Sequence, residues 1–589
     1  MYYDPFVLPF TIGLTALLLF LAVKYIRWIR TFRKSERRKI RKGMFSLKTF
    51  RAAGEVFSEC LLHRKIYRTN PFLGYMHTCF GLGWFLLIVA GKTESMVYHT
   101  SAFNPPYFAI FFRFFHPAKE TFPYSETFAF ITDLLLLFIL SGLFLALAKR
   151  FWSRIVGMRK TTKHRPLDLL ILTSLWLIFP LRFLAESFTS GLRGGGSFLT
   201  NNAGEFFAEF LPLDHLTYPA WWAYSGMLGL FFVLLPFSRY MHIPTEIVYI
   251  FLKNWGIRQG TKFNAFSKIQ MYACSRCGIC IDSCQLNSSL QMDVQPVYFL
   301  KKIRHGKEYE SLIENCLMCG RCEASCPVGL THNALRLSKR PDLSRITKNT
   351  YSYAKNAAMP APAKVAYFAG CMGQLTPTVT RSMERILEQA GVSCTYIDKE
   401  GGVCCGRPML LAGNREEAAV MAEKNRAILK ASGAEVLVTS CPICLKMFRE
   451  EYGLQIRIVH HTEYIDELMR EGKLKTVPGE QRTVFHNPCE LGRGCGVYKA
   501  PENILKHVSR KIDTDFDGKK SLCCGGSLAN TSIDGRQRNR IAGDAAKAYA
   551  AYQPDVLVTA CPLCKKTFAT ASAVPVKDIA EVVAECCRP

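Results

Sequence analysis

Cys404 and Cys405 stand side by side in GGVCCG. A disulfide between neighbours would strain the peptide and close a loop of no length. A tetrahedral zinc site usually takes its thiolates as C-x2-C, with room for each to turn toward one ion. An adjacent pair therefore suits something larger than a single ion. The pair belongs to a set that occurs twice. VLVTSCPICLKMF (436–448) returns as VLVTACPLCKKTF 120 residues later, GGVCCG returns as SLCCGG, and YFAGCMG has its counterpart in FHNPCEL. An internal repeat takes priority in any reading. The first copy is Cys371, 32 residues, Cys404-Cys405, 35 residues, then Cys441-x2-Cys444. The second is Cys489, 33 residues, Cys523-Cys524, 36 residues, then Cys561-x2-Cys564.

Two further runs share one spacing. CSRCGICIDSC holds Cys274, Cys277, Cys280 and Cys284, and CLMCGRCEASCP holds Cys316, Cys319, Cys322 and Cys326. Each reads C-x2-C-x2-C-x3-C, the bacterial ferredoxin run for [4Fe–4S] cubanes, in which three thiolates wrap one cube and the fourth crosses to the other. The expected ligand sets are Cys274, Cys277, Cys280 and Cys326 for one cubane, and Cys316, Cys319, Cys322 and Cys284 for the second. Gln285 stands where the run usually has proline, whereas Pro327 keeps the pattern. Eight cysteines at doubled ferredoxin spacing favour clusters over zinc. All cysteines except Cys60 and Cys79 lie beyond residue 270. In a reducing compartment such density argues for metal ligation rather than disulfides.

The elements that carry these residues follow from local pattern. KVAYFA, EVLVTS, RTVFHN and DVLVTA are short β-branched runs of the kind found in buried parallel strands. Helical stretches such as REEAAVMAEKNRAILKASG follow them. Each repeat therefore reads as an α/β unit with cysteines at strand ends, where open α/β sheets place ligands. Residues 285–315 read as helical, which predicts an α-helical ferredoxin module.

The N-terminal part is of another kind. Phe6–Val23, Pro71–Gly91, Thr127–Ala148, Leu167–Ser187 and Tyr218–Phe237 are long and apolar enough to span a bilayer. The first lacks a basic n-region and a cleavage site, so it reads as a true span and not a signal peptide. The net charge is +28, with mean hydropathy +0.07. Its location excludes a nucleic-acid partner. Lys24–Arg68 holds 15 Lys+Arg against 3 Asp+Glu, and Lys149–Arg165 holds 7 against none. The opposite-side segments are slightly acidic. By the positive-inside rule the N-terminus is outside, and everything after the fifth span is in the cytoplasm. The expected location is the inner (cytoplasmic) membrane, in contact with membrane lipid.

Neutral imidazoles on facing helices can clamp haem iron. His77 and His242 fall at similar depth near the cytoplasmic face, which predicts one haem b between them. His63, His99, His116 and His164 read as solvated loop residues, and His215 has no evident partner. Asp133, Asp168, Arg182 and Glu186 are charged groups within spans, costly there and functional by default; Arg182 and Glu186 are also spaced for an ion pair. Cys60, Cys79, Cys394, Cys495, Cys586 and Cys587 read as non-ligands.

The doubled cysteine set is similar to the CCG motif of heterodisulfide reductase catalytic subunits. That resemblance implies that each set of five, Cys371, Cys404, Cys405, Cys441 and Cys444, then Cys489, Cys523, Cys524, Cys561 and Cys564, holds a non-cubane [4Fe–4S] cluster, giving one or two in all. The second set is taken as the catalytic one. A four-cysteine zinc or iron site at each repeat remains the alternative. The five-span part resembles the cytochrome b subunit of respiratory nitrate reductase. Leu87 and Tyr224 occupy the places of that family's second haem pair, so one haem is expected.

The expected architecture is multidomain: an all-α five-helix transmembrane haem b bundle (1–245), a double [4Fe–4S] ferredoxin module (246–345) and a duplicated α/β CCG domain (362–470 and 480–582). No G-x-G-x-x-G follows a strand, so no nicotinamide or flavin site is expected in this chain. The whole chain resembles fused heterodisulfide reductase D/E-type oxidoreductases, and among them the electron-transfer-flavoprotein:menaquinone oxidoreductases. That resemblance implies electron transfer flavoprotein as partner and menaquinone as substrate. A thiol–disulfide reductase coupled to quinone and a hydroxyacid-oxidising complex are the alternatives.

Overall fold

In the computed structural model, residues 3–101, 103–116, 122–152, 165–343, 361–401, 403–528 and 532–587 are described. His164 lies outside them. The chain divides into two compact units, Met1–Gln259 with Phe263–Gly278, and Gly260–Lys262 with Ile279–Pro589.

The first unit is helical. Among the described residues, five helices are long and apolar enough to cross a membrane: Pro5–Arg30, Pro71–His99, Ser125–Phe151, Pro166–Arg193 and Leu213–Phe237. They contain the five expected spans and extend them at the ends. Arg27 and Arg30 close the first helix and Lys149 and Arg150 the third, placing cations where the helix dipole favours them. The first and fifth helices meet backbone to backbone. A Cβ on Gly13 would lie 2.7 Å from the Gly229 Cα, so only glycine permits that approach. Ile12, Leu18 and Leu19 are exposed on the outside of the bundle, as side chains facing lipid would be.

The second unit opens with short helices, Ile279–Asp282, Gln285–Leu290, Pro296–Arg304, Glu310–Glu314, Arg321–Ala324 and His332–Leu337. This is the helical ferredoxin part expected from sequence. Two four-stranded sheets follow. The first contains β1 (Val365–Phe368), β2 (Cys394–Tyr396), β3 (Val436–Thr439) and β4 (Arg457–His460) in the order β2-β1-β3-β4, all parallel. The second contains β5 (Arg482–His486), β6 (Arg510–Ile512), β7 (Val556–Thr559) and β8 (Val576–Asp578) in the order β6-β5-β7-β8, again all parallel. The four β-branched runs expected as strands are the central pairs, β1 with β3 and β5 with β7. They are buried because helices cover both faces of a parallel sheet.

In the first repeat α1 (Pro377–Gln389) follows β1, α2 (Arg415–Ala431) precedes β3, α3 (Pro442–Glu451) follows it, and α4 (His461–Arg470) follows β4. In the second repeat α5 (Lys499–Val508), α6 (Gly535–Ala550), α7 (Pro562–Ala569) and α8 (Ile579–Cys586) hold the same places. The repeats pack through equivalent helices: α1 meets α8 and α4 meets α5. Met383, Ile386, Ile465, Leu468, Ile504, Leu505, Val582 and Val583 join one shared core. Inside it His461 Nε2 lies 3.1 Å from Asp578 Oδ1, with both side chains wholly buried.

Candidate redox centres

Strand order decides where the thiols gather. The chain leaves β1 toward β2 on one side and returns to β3 on the other, so the crevice between the C-terminal ends of β1 and β3 is the switch point at which such sheets bind ligands. Cys371 follows β1, and Cys441 and Cys444 follow β3. Cys404-Cys405 reach the same place from the loop after β2. Thiol contacts run from Cys371 to Cys404, and from Cys405 through Cys444 to Cys441. Gly370, at φ 82°, lies so close that a Cβ there would be 3.0 Å from the Cys444 Sγ. The adjacent pair is held by its carbonyls: Asn425 Nδ2 donates to Cys404 O at 2.8 Å and the Tyr452 hydroxyl to Cys405 O at 3.0 Å. Asp398 accepts from the amides of Ala369 (2.9 Å) and Gly370 (2.7 Å), which orients the loop before Cys371. Cys371 is exposed, whereas the other four are buried.

The second repeat builds the same arrangement. The Cys523 thiol contacts Cys489 and Cys524, the Cys524 Sγ donates to the Cys564 Sγ at 3.2 Å, and Cys561 contacts Cys564. All five line one cavity of about 40 Å³. Leu317 of the ferredoxin part and Pro442 and Ile443 of the first repeat complete its wall. Among the described residues no three His, Cys, Asp or Glu side chains close on a single-ion point; the thiols instead form chains of contacts. Cys441 and Cys561 are within electrostatic reach of each other. Glu490, next to Cys489, takes Lys446 at 3.4 Å and Arg407 at 3.7 Å from the first repeat.

In the ferredoxin part Cys284 lies near Cys316 and Cys319, and Cys322 near the same two. Both are within electrostatic reach of that pair, and Cys280 is within reach of Cys322 as well. Burial and mutual repulsion push Cys284 up to about 11 and Cys322 well above the usual thiol value; such a set needs positive charge at its centre. Cys319 is held well below the usual range by a hydrogen bond from Cys523 and, against burial, by the Arg493 guanidinium. Met318 at φ 52° and Gly320 at φ 72° turn the backbone on either side of Cys319, and Arg276 and Gly278 (φ 55° and 92°) do so around Cys277. Cys280 and Cys326 belong to the second unit, and Cys274 and Cys277 to the first.

Gln285 does more than stand in the place of the usual proline. Its side chain pairs with the backbone of Cys523. Ser527 adds a hydroxyl bond to Leu317 O at 2.7 Å. The second repeat is thus fastened to the run that carries Cys316, Cys319 and Cys322.

In the first unit, His77 Nδ1 donates to Leu73 O at 2.8 Å and His242 Nδ1 to Arg239 O at 2.9 Å. A carbonyl can only accept, so each ring carries its proton on Nδ1 and its lone pair on Nε2, the form that ligates metal. The two imidazoles are within electrostatic reach of each other. The Arg239 guanidinium also donates to Ser275 O at 2.7 Å, and Arg276 Nη1 to Asp168 at 3.1 Å, tying the Cys274 loop to the end of the fifth helix.

Three histidines expected to be solvated are not. His99, at the end of a helix, is half-buried with its ring centre 4.5 Å from that of Phe108. His63 is half-buried, its ring 5.4 Å from that of His77, and a Cβ on Gly81 would meet it at 2.7 Å. His116 is 8% exposed and its ring centre is 4.4 Å from that of Tyr98. The left-handed backbone of His63, φ 52°, has no signal in the sequence. Of the charged residues within the apolar helices, Asp133 is structural, accepting from Ser197, Leu199 and Thr200. Asp168 serves Arg276 and the Arg239 amide. Arg182 and Glu186 form the i,i+4 pair at 2.9 Å, and Tyr224 reaches the same guanidinium. Cys79 packs against Gly142, as a small core residue would.

Comparison with known proteins defines the class. The cysteine-rich domain family matches residues 365–449 and 483–569, and the 4Fe-4S dicluster domain family matches 270–330. The chain is an iron–sulfur oxidoreductase that carries two cysteine-rich domains and a 4Fe-4S dicluster domain and is similar to heterodisulfide reductase subunits. One subunit of the dihydromethanophenazine:CoB–CoM heterodisulfide reductase of Methanosarcina barkeri is 23% identical over 400 residues, 54% of this chain and 95% of that one. The EtfAB:quinone oxidoreductase of Syntrophomonas wolfei is 22% identical over 462 residues, 58% of this chain and 63% of that one. One subunit of the fumarate reductase (CoM/CoB) of Methanothermobacter marburgensis is 24% identical over 335 residues, covering 50% and 67%.

Proposed function

We propose that the chain passes electrons between reduced electron transfer flavoprotein and menaquinone in the membrane, with its iron–sulfur domains in the cytoplasm. The observation that carries this reading is the contact of Cys523 with Cys319, which joins the second five-cysteine set to a ferredoxin set. Five helices long and apolar enough to cross a membrane supply a route to a lipid-soluble acceptor. A relative similar over 58% of the chain is named EtfAB:quinone oxidoreductase.

In this reading Cys274, Cys277, Cys280 and Cys326 hold one cubane, and Cys284, Cys316, Cys319 and Cys322 the other. The two five-cysteine sets hold non-cubane clusters, and His77 and His242 hold one haem b. When bound, these groups supply one-electron carriers between a two-electron donor and a two-electron acceptor. The chain's own residues orient them. Leu73 O and Arg239 O fix the imidazole tautomers. Gln285 and Ser527 hold the two cysteine blocks together. Gly370 leaves the room that a Cβ would fill beside Cys444.

The test is anaerobic absorbance of haem b in purified protein on addition of chemically reduced electron transfer flavoprotein, then a menaquinone analogue. Reduction followed by reoxidation is expected. The exposure of Cys371 favours, as the second reading, a small disulfide substrate. A haem that ignores the flavoprotein and responds to a dithiol would move the assignment there.

A further inference from the structure

Arg493 lies in the turn Glu490–Gly494 that follows Cys489. Its guanidinium is fixed on two sides. Nε donates to the carbonyl of Cys319 at 2.7 Å. Nη1 donates to the carbonyls of Lys519 at 3.1 Å and Ser521 at 2.8 Å, on the stretch of chain that leads into Cys523-Cys524. Nη2 is buried and has no hydrogen-bond partner in the protein. The nearby carboxylate of Glu490 is engaged by Arg407 and Lys446. The thiols of Cys319, Cys489 and Cys523 and the Tyr498 hydroxyl lie within electrostatic reach of Arg493.

A buried guanidinium N–H without an acceptor gives up its hydration and gains nothing in return. Two of its edges are spent on carbonyls from the two cysteine blocks, so the third is aimed with little freedom. The thiols of Cys319, Cys489 and Cys523 are within electrostatic reach of the guanidinium, and their sulfurs can accept from it. Hydrogen bonds to cluster sulfur and nearby positive charge both favour the reduced, more negative state of an iron–sulfur centre.

We propose that Arg493 donates from Nη2 to sulfur of the cluster held by Cys489, Cys523, Cys524, Cys561 and Cys564, and through its Cys319 contact serves the adjoining cubane as well. It is a positioning residue that raises the potentials of both centres and holds them in contact. The step it serves moves one electron: one cluster is oxidised by one, its neighbour reduced by one, and no atoms are exchanged. This inference rests on the cluster assignment under Proposed function.

The experiment is a potentiometric titration, followed by electron paramagnetic resonance, of the full-length holoprotein and its Arg493→Gln and Arg493→Lys variants, each with measured iron content. The expected result is that Arg493→Gln keeps its iron and moves both centres to lower potential, and that Arg493→Lys recovers part of that shift by restoring the charge. If Arg493→Gln loses iron, Arg493→Lys alone is compared with the unaltered protein. It keeps the charge but not the fork, and lowered potentials are again expected. Potentials that do not move in an iron-replete variant overturn the role of Arg493 and leave the cluster assignment standing. Iron content unchanged by Cys524→Ser in the same preparation overturns the cluster assignment itself, and this inference with it.

Discussion

Gln285 holds Cys523 by both ends of its amide: Nε2 donates to the Cys523 carbonyl at 3.0 Å, and Oε1 accepts the Cys523 N–H at 2.5 Å. The first ferredoxin run thereby grips one of the adjacent cysteines of the second repeat, 238 residues away. A proline at 285, the residue usual for such a run, has no amide to offer. Gln285→Pro should therefore leave two buried backbone groups at Cys523 unpaired, each costing about 1–3 kcal/mol. The expected outcome is a lower denaturation midpoint for the iron–sulfur part, and slower electron exchange between the clusters, with cubane iron retained. A variant as stable as the parent would show that the clamp is idle.

The convergence of five thiols in each repeat leads to a second expectation. Cys405→Ser and Cys524→Ser should each remove the iron of one cluster and leave haem absorbance intact, because the histidines belong to the other compact unit. Iron and haem assayed on the same sample decide it. Full iron in both variants would mean that these thiols are not ligands.

His77→Ala and His242→Ala should each abolish the haem spectrum while cluster iron stays. His215→Ala should change nothing, since that side chain is 82% exposed and pairs with Asp214. Haem retained in His77→Ala would shift attention to His63, whose ring stands against that of His77.

Much of this was legible in the sequence. The five apolar helices, the helical ferredoxin part and the four central strands follow from hydropathy and β-branched runs, because those signals are set by burial itself. The edge strands β2, β4, β6 and β8 were not legible. Each is only three or four residues long and half-exposed, so pattern says little about it. The cysteine spacing pointed to the 4Fe-4S dicluster and cysteine-rich domains that the family matches show. It could not announce Gln285, Arg493 or Arg239, whose partners lie far along the chain. His63 was misread because its left-handed backbone and its ring contact with His77 leave no mark in the local pattern of the sequence.

His332 makes the protein sensitive to acid. It is 2% exposed, and burial, with the nearby Arg336, lowers its pKa to about 3. In the unfolded chain the value is about 6.5. Between those values the unfolded state binds the extra proton, so stability falls as pH falls, by up to about 1.4 kcal/mol per pH unit. Above pH ~7 the full stability is present. Amide protection of the helix His332–Leu337, corrected for intrinsic exchange, should drop between pH 7 and pH 5. The drop should be smaller in His332→Gln, and a pH-independent protection in the unaltered protein would contradict it.

Arg239 joins the backbone beside His242 to the loop between Cys274 and Cys277. Its carbonyl accepts from His242 Nδ1 at 2.9 Å, its amide donates to Asp168 at 2.8 Å, and its guanidinium donates to Ser275 and Arg276 carbonyls at 2.7 and 3.3 Å. The backbone bonds survive substitution, so Arg239→Gln should keep His242 in place and haem bound. The guanidinium bonds do not survive, so the loop between Cys274 and Cys277 loses its fixed position. Haem content and iron should be unchanged, while haem reduction from pre-reduced clusters slows by on the order of tenfold, equivalent to about 1.4 kcal/mol on the barrier. Stopped-flow absorbance of the haem measures this directly. A parental rate would mean that the electron does not pass by way of the Cys274 loop, and loss of haem would mean that Arg239 acts on His242 alone.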